Sequence, residues 1–289
     1  MLPDKQTNGI PKMTNSNAVK VISVTGGKGG VGKSNVTLNI AISLAKMGKK
    51  VMIMDADLGL ANIDIMLGLR VIKNLSHVIR GECSLDDIIL EGPEGIKIIP
   101  ASSGTKGMAQ LSEMEHVGLI RAFSSLSAEI DILIVDTAAG IADNVISFAQ
   151  ASQDLLVVVC DEPTSITDAY ALIKILSIDH GLFRFRIVAN MVRSEKEGRN
   201  LFTKLTRVTD QFLDVALDFV GAIPFDENVR KAVRKQRALV SLYPNSPASI
   251  AVKHLATKII DWPIPRSAKG NIEFFMERLV KGGKMAQEL

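Results

Sequence analysis

Cysteine is scarce in this 289-residue chain, and long apolar runs are absent. Cys83 and Cys160 are too far apart to form a Cys-x-x-Cys pair, so we expect buried thiols and no disulfide framework. No stretch of about 18 uninterrupted apolar residues occurs, and residues 1–17 are polar. We therefore expect a cytoplasmic protein without a secretory leader or a membrane-spanning helix.

A large excess of charge of one sign is also missing. Lysine and arginine number 34 against 31 aspartates and glutamates, which gives a net charge of +3. This balance argues against extensive coating of nucleic acid and against an acidic tail, so any charged contact must be local. The 47% hydrophobic content is sufficient for one large α/β domain.

Short β-branched and aliphatic runs alternate with segments of helical periodicity. The predicted strands are 21–24, 51–54, 96–99, 132–135, 155–159 and 185–189, and the predicted helices include 35–47, 113–126, 144–151 and 165–176. This order predicts a doubly wound, mostly parallel sheet with helices on both faces. In such sheets ligands bind at the carboxyl ends of the strands.

A glycine-rich loop follows the first predicted strand directly. It matches the pattern G-x-x-x-x-G-K-[ST], and its predicted nucleotide-binding residues are Gly27, Lys28, Gly29, Gly30, Val31, Gly32, Lys33, Ser34 and Asn35. The glycines allow backbone N–H groups to surround phosphate oxygens, and the next helix points its positive end at the same anion. We expect Lys33 to reach the β- and γ-phosphates and Ser34 to ligate Mg²⁺.

Acidic residues end two other predicted strands. Asp136 follows the run 132–135, where a nucleotide-bound Mg²⁺ needs an acidic partner. Asp55 and Asp57 are one residue apart in an extended segment, so they point to opposite sides and should have different roles. We assign Asp57 to orienting the attacking water and Asp55 to supporting the Mg²⁺ shell, the alternative being that one of them caps a loop.

Lys28 distinguishes this loop from an ordinary phosphate loop. Its charge does not fit easily into the same cradle as that of Lys33, which leaves two alternatives: a solvated lysine, or one that reaches the phosphates of a neighbouring subunit. Cations delivered in trans accelerate phosphoryl transfer by about 10³- to 10⁵-fold.

Together, the loop 28–34, the Asp55-Ala56-Asp57 segment and the run 132–136 resemble the deviant Walker ATPases of the MinD and ParA type. The resemblance covers nearly the whole chain. It implies an ATP hydrolase that forms a homodimer with ATP, in which Lys28 contacts the partner's phosphates and Asp57 is the hydrolytic aspartate. It also implies that adenine is held by Asn190, Pro224, Phe225 and Asp226.

Segments 55–64, 135–141 and 160–170 are similar to the branch of this family that regulates flagellar number and placement. That similarity implies three partners: the signal-recognition-type flagellar GTPase FlhF, the flagellar basal body and a flagellar transcription activator.

The choice of base has a separate indication. A guanine-specifying Asn/Thr-Lys-x-Asp signature is absent, because the segments 190–193 and 203–206 both lack the final aspartate. ATP, with Mg²⁺, is therefore the expected nucleotide.

The C-terminal segment is predicted to form an amphipathic helix. Its apolar stripe consists of Ile272, Phe275, Met276, Leu279 and Val280. Core packing is one interpretation, and reversible insertion into a membrane surface is the other. MinD-like proteins carry a terminal membrane-targeting helix, so we favour reversible attachment to the inner face of the cytoplasmic membrane, at a cell pole.

Arg230, Lys231, Arg234 and Lys235 recur at helical spacing and form a basic face. We interpret it as solvated and expect no direct DNA binding; the alternative function is a ParA-like partitioning ATPase whose ATP-bound dimer binds DNA nonspecifically. The expected organisation is a flexible segment (1–18), a P-loop ATPase domain (19–265) and a membrane-targeting segment (266–289).

Overall fold

The computed structural model describes residues 19–57, 62–100, 113–126, 128–263, 275–276 and 278–279. The strands are β1 Lys20–Thr25, β2 Val51–Ala56, β3 Leu90–Glu91, β4 Lys97–Ile99, β5 Ile132–Thr137, β6 Asp154–Cys160, β7 Arg184–Val192 and β8 Ala216–Pro224. The helices are α1 Lys33–Lys46, α2 Ile63–Leu67, α3 Leu75–Ile79, α4 Glu113–Ser124, α5 Asp143–Ala151, α6 Pro163–Ile178, α7 Glu195–Phe212, α8 Glu227–Arg234, α9 Leu239–Leu242 and α10 Pro247–Ile260.

The strands in the described part of the chain form one sheet in the order β3-β4-β2-β5-β1-β6-β7-β8. All pairs are parallel except β3 with β4. The predicted fold class is confirmed: the sheet is mostly parallel and is wound in both directions from β1. The order reverses beside β1, where its carboxyl end continues into the phosphate loop.

Apolar side chains fill both faces of the sheet because neighbouring strand residues point to opposite sides. On β1, Ile22 and Val24 join the core beneath α1 and α8–α10, whereas Val21 joins the core beneath α3–α5. A third cluster lies under α5–α7. The sheet is thus a buried middle layer that holds the loops at its carboxyl edge in place.

The predicted C-terminal helix is only partly described. Phe275, Met276 and Leu279 are buried in the core beneath α3–α5, and the Phe275 ring stacks on Phe148 of α5 with centroids 6.5 Å apart. In this structure these three side chains therefore pack in the core, the first of the two interpretations of the stripe. Ile272 and Val280 lie outside the described residues, as does segment 1–18.

No helix in the described ranges is both long and apolar enough to cross a bilayer. Both cysteines are free thiols, and Cys160 is buried.

Candidate nucleotide-binding site

The phosphate loop joins β1 to α1 at the carboxyl edge of the sheet. Gly30 and Gly32 have φ angles of 82° and 90°, which residues with a side chain rarely adopt. Gly32 precedes α1, and its carbonyl accepts the N–H of Val36 at 3.0 Å. The loop therefore leads directly into a helix N-terminus, whose first N–H groups are available to bind an anion.

The loop is packed against helix α6 and strand β7. A Cβ atom at Gly27 would lie 2.2 Å from the backbone carbonyl of Asp168 in α6, so only glycine fits there. The side-chain amide of Asn190, at the end of β7, donates to the Val31 carbonyl at 2.7 Å. The predicted adenine residue Asn190 thus contacts the phosphate loop itself, and the loop's shape is set by its surroundings.

Lys33 begins α1 and is buried, with 8% of its surface exposed. Burial lowers the pKa of Lys33, while the nearby carboxylates of Asp136 and Asp57 act in the opposite direction. A partly desolvated ammonium at a helix N-terminus suits a polyanion, because phosphate oxygens replace the water that the ammonium has lost.

Asp136 ends β5 between the phosphate loop strand and β2. It lies opposite Asp55 in the sheet register, and its Oδ1 accepts the Thr37 hydroxyl at 3.0 Å. Burial raises the pKa of Asp136 to about 7, and the Asp55 charge adds to the rise.

The other oxygen of Asp136 fits a role in holding Mg²⁺. The Ser34 hydroxyl interacts with this carboxyl group and lowers its pKa, but within the described part of the chain Oδ2 is buried and no atom meets the geometry of a hydrogen bond to it. A buried carboxylate oxygen without such a partner, beside a hydroxyl at the start of α1, is a donor set that a hard divalent cation prefers.

Asp55 caps a loop, which is the alternative that the sequence left open for one of the two aspartates. Its carboxylate accepts backbone N–H groups of Asp57 at 3.2 Å, of Asn62 at 3.0 Å and of Ile63 at 3.2 Å. It thereby ties both ends of the connection from β2 to α2. Burial raises the pKa of Asp55 to about 6. Asp57 begins this connection, and its charge acts on Lys33.

Lys28 lies outside the buried part of the loop. Its ammonium donates to Glu162 Oε2 at 2.7 Å and to Thr164 Oγ1 at 2.8 Å, both at the start of α6. The hydrogen bond to Glu162 raises the pKa of Lys28. Of the two loop lysines, only Lys33 is buried in the cradle.

A cavity of about 280 Å³ opens beside the phosphate loop. Its lining includes Gly30, Gly32, Asn35, Asn190, Pro224, Phe225 and Asp226, all of them predicted nucleotide-binding residues. The lining residues that the sequence analysis missed as nucleotide contacts include Val36, Met191, Val229, Arg230 and Val252. Met191 directly follows Asn190 and has an unusual positive φ of 56°, but the apolar residues come from helices whose packing is not visible in the sequence.

Apolar walls with a few polar groups suit a flat heterocycle such as a purine. Asp226 shapes one wall, because its carboxylate accepts the N–H of Asn228 at 2.9 Å and so caps α8. The phosphate cradle and the base-sized cavity are continuous through Gly30, Gly32 and Asn35.

This fold and this site define a P-loop nucleoside triphosphatase. The ParA family profile, described as NUBPL iron-transfer P-loop NTPase, matches residues 17–260. The chain belongs to the ParA/MinD family of P-loop NTPases, which confirms the resemblance found in the sequence motifs.

Three relatives define its place in more detail. The chain is 59% identical to the antiactivator FleN of Pseudomonas aeruginosa over 94% of this chain and 97% of that protein. It is 36% identical to the flagellum site-determining protein YlxH of Helicobacter pylori, over 92% of each. Septum site-determining protein MinD from Pyrococcus horikoshii, solved in complex with Mg-ADP, superposes with a TM-score of 0.67 at 25% identity, covering 84% of this chain and 96% of that one. Similarity to flagellar-number regulators was expected from the sequence and is confirmed.

Proposed function

We propose that this chain is an ATP-dependent switch that regulates the number and placement of flagella. In this proposal the ATP-bound chain pairs with a second copy, and ATP hydrolysis separates the two. The observation that carries the proposal is the different placement of the two lysines of one loop: Lys33 is buried in the cradle, whereas Lys28 lies at its surface. A lysine outside its own cradle is available to the triphosphate of a partner.

The positions of the acidic residues support hydrolysis. Ser34 and Asp136 would hold Mg²⁺, with Asp55 in support, and the ion would supply positive charge to the β- and γ-phosphates. Lys33 stabilises the charge that develops on the same oxygens, and Asp57 orients the attacking water. Lys28 of the partner supplies one further positive charge.

ATP is the proposed nucleotide, with its adenine in the cavity beside Asn190, Pro224, Phe225 and Asp226. The Mg-ADP bound to the Pyrococcus MinD relative supports an adenine nucleotide with Mg²⁺. The absence of a guanine-specifying signature agrees with this choice.

The flagellar role is supported by the similarity to FleN and YlxH over nearly the full length of those proteins. The proposed partners are those implied by that similarity: FlhF, the basal body and a flagellar transcription activator.

Membrane attachment is a further part of the proposal. The stripe at Ile272, Phe275, Met276, Leu279 and Val280 inserts reversibly into the inner face of the cytoplasmic membrane, at a cell pole. Because Phe275, Met276 and Leu279 are buried here, they must leave the core before they insert. A single short amphipathic helix binds lipid weakly, and two copies in a dimer raise the avidity.

The flagellar role is tested in the host by deleting the gene and counting flagella per cell. We expect an altered number that is restored by the wild-type chain but not by Lys33→Ala, because that variant lacks the ammonium that binds the phosphates. A fluorescent fusion should gather at the poles. A normal flagellar count in the deletion strain would refute the role, and a fusion spread over the nucleoid would favour the partitioning alternative.

A further inference from the structure

Lys28 is held by a specific pair of acceptors within its own chain. The side chains of Glu162 and Thr164 both lie within hydrogen-bond distance of its ammonium, at 2.7 and 2.8 Å. They belong to the connection between β6 and α6, more than 130 residues away in sequence. The proposed function gives Lys28 a role on a partner's nucleotide, but it does not explain why the lysine has a defined position in a single chain.

The turn between β6 and α6 holds Glu162 and Thr164 in a defined position. Pro163 opens α6, and the Ser165 hydroxyl accepts the N–H of Cys160 at 3.1 Å, which closes the turn between strand and helix. Further along α6, the backbone at Asp168 lies against Gly27 so closely that no side chain fits between them. The phosphate loop and the start of α6 therefore form one unit, and the position of the acceptors relative to Lys28 is built into the fold.

The ion pair between Lys28 and Glu162 is also weak enough to be replaced by contacts with phosphate. The side chains of Lys28 and Glu162 are 36% and 61% exposed, so breaking the pair leaves no buried charge behind. Exposed pairs of this kind are weak and are screened by salt. A triphosphate carries several negative charges against one on Glu162, so a partner's nucleotide at similar distance attracts the ammonium more strongly.

We infer that Glu162 and Thr164 are positioning residues that hold Lys28 in cis in the single chain and so raise the protein concentration at which the ATP-bound dimer forms. The inference rests on the proposed function, in which Lys28 acts on the partner's ATP. Pairing of two chains exchanges the contacts of Lys28 with Glu162 and Thr164 for contacts with phosphate.

The test is sedimentation of the full chain with a slowly hydrolysed ATP analogue over a range of protein concentrations. Glu162→Gln keeps an acceptor oxygen but loses the charge, so we expect half-maximal dimer at a protein concentration about two- to fivefold lower than for the wild type. Thr164→Val should shift it in the same direction by less. The difference between wild type and Glu162→Gln should shrink in high salt. Binding of a fluorescent ATP analogue to the single chain should be unchanged in both variants, because neither residue lines the cavity.

Asp161→Asn is the matched control. It removes the same charge one residue away, from a carboxylate that pairs with Lys204 at 2.9 Å instead of with Lys28, and it should dimerise as the wild type does. Lys28→Ala combined with Glu162→Gln should behave as Lys28→Ala alone. Dimerisation of Glu162→Gln at the wild-type concentration or above would overturn the inference while leaving the proposed function intact. A wild-type chain that never dimerises with the analogue would overturn both.

Discussion

At the level of single residues, the site is dominated by two buried carboxyl groups on neighbouring strands. Asp55 and Asp136 face each other in the register of β2 and β5 and are almost wholly buried. Two carboxylates brought together away from water destabilise each other's charged form. Their cost is offset in part by backbone N–H donors to Asp55 and by Thr37 on Asp136. The site therefore carries electrostatic strain, which the Lys33 charge relieves in part.

This strain predicts a pH dependence of stability in the protein free of Mg²⁺ and nucleotide. The folded-state pKa of Asp136, about 7, lies above its unfolded value near 4, so the folded chain binds more protons between these values. The stability contributed by this group is fully present below about pH 4 and is lost as the pH rises through 7. Asp136→Asn removes that loss and should gain about 2 to 4 kcal/mol relative to the wild type between pH 5 and 8.

Urea unfolding at each pH measures this gain. The exposed Asp143→Asn in the first turn of α5 is the control, and its difference from the wild type should not change with pH. A constant difference between Asp136→Asn and the wild type across pH 5 to 8 would show that Asp136 is already charged in the folded protein.

The proposed role of Asp57 predicts that its substitution separates ATP binding from ATP hydrolysis. Asp57→Ala should retain ATP binding, because Lys33 and the loop N–H groups are untouched, and should lose turnover by about 100-fold or more. Equilibrium binding of ATP and release of phosphate measure the two effects. Asp179→Ala, an exposed residue at the end of α6, should leave both as in the wild type. Unchanged turnover in Asp57→Ala would exclude the water-orienting role.

The sequence predicted the residues of the phosphate loop and the acidic strand ends because each depends on local spacing. It left open that Asp55 or Asp57 caps a loop, but it did not identify the N–H donors around Asp55, and it did not predict the contact between Lys28 and Glu162. The first depends on how the chain returns at Asn62, and the second on the packing of α6 against Gly27. Such partners are set by the tertiary fold.

At the level of elements, the six predicted strands are all present because each is largely buried and is rich in β-branched and aliphatic residues, although Lys97 and Arg186 interrupt two of the runs. The strands at the two edges of the sheet, β3 and β8, were missed. β3 has only two residues, whereas most residues of β8 are partly exposed and its sequence contains Asp218, Gly221 and Pro224. Edge strands tolerate such residues, so they lose the apolar signature.

A buried lysine joins the first strand to the last helix of the domain. The Lys20 ammonium donates to the carbonyls of Ile259 at 2.7 Å, Ile260 at 3.2 Å and Trp262 at 2.7 Å. It thereby gives a charged donor to the carbonyls at and just beyond the C-terminus of α10, where N–H donors of the helix run out. The Trp262 ring also lies 3.9 Å from the Arg186 guanidinium. The end of α10 is therefore held against β1.

Lys20→Met should lower the free energy of unfolding by about 2 to 3 kcal/mol, because three carbonyls lose a charged donor. For a domain of this size the midpoint of thermal unfolding should fall by roughly 4 to 12 °C. Lys196→Met, at an exposed position in α7, should change stability by no more than about 0.5 kcal/mol. Equal midpoints for the two variants would show that the Lys20 contacts do not stabilise α10.

In the proposed function, the same apolar side chains of the C-terminal segment stabilise the core and insert into the membrane. Truncation after Gly270 removes Phe275, Met276 and Leu279, so we expect loss of ATP-dependent co-sedimentation with liposomes and also lower thermal stability. Phe275→Glu in the full chain should give the same two effects without shortening it. Liposome binding that persists in both variants would exclude the segment as the membrane anchor.

At the level of the whole molecule, the sheet separates the nucleotide site from the buried C-terminal side chains. The cavity lies beneath α8–α10, whereas Phe275, Met276 and Leu279 pack beneath α3–α5 on the opposite face. The apolar periodicity of α8–α10 and of the C-terminal stripe does not specify which face of the sheet each of them covers. The arrangement depends on the winding of the chain, and α5, which follows Asp136 at the end of β5, connects the two sides through the stacking of Phe148 on Phe275.

The central claim is that each active site is completed by Lys28 of a second chain. The most direct measurement is ATP turnover per chain as a function of protein concentration, from well below to well above the point of dimerisation. We predict that turnover per chain rises steeply with concentration in the wild type and stays near zero at every concentration in Lys28→Ala. Turnover per chain that is constant over the whole range in the wild type would contradict the claim.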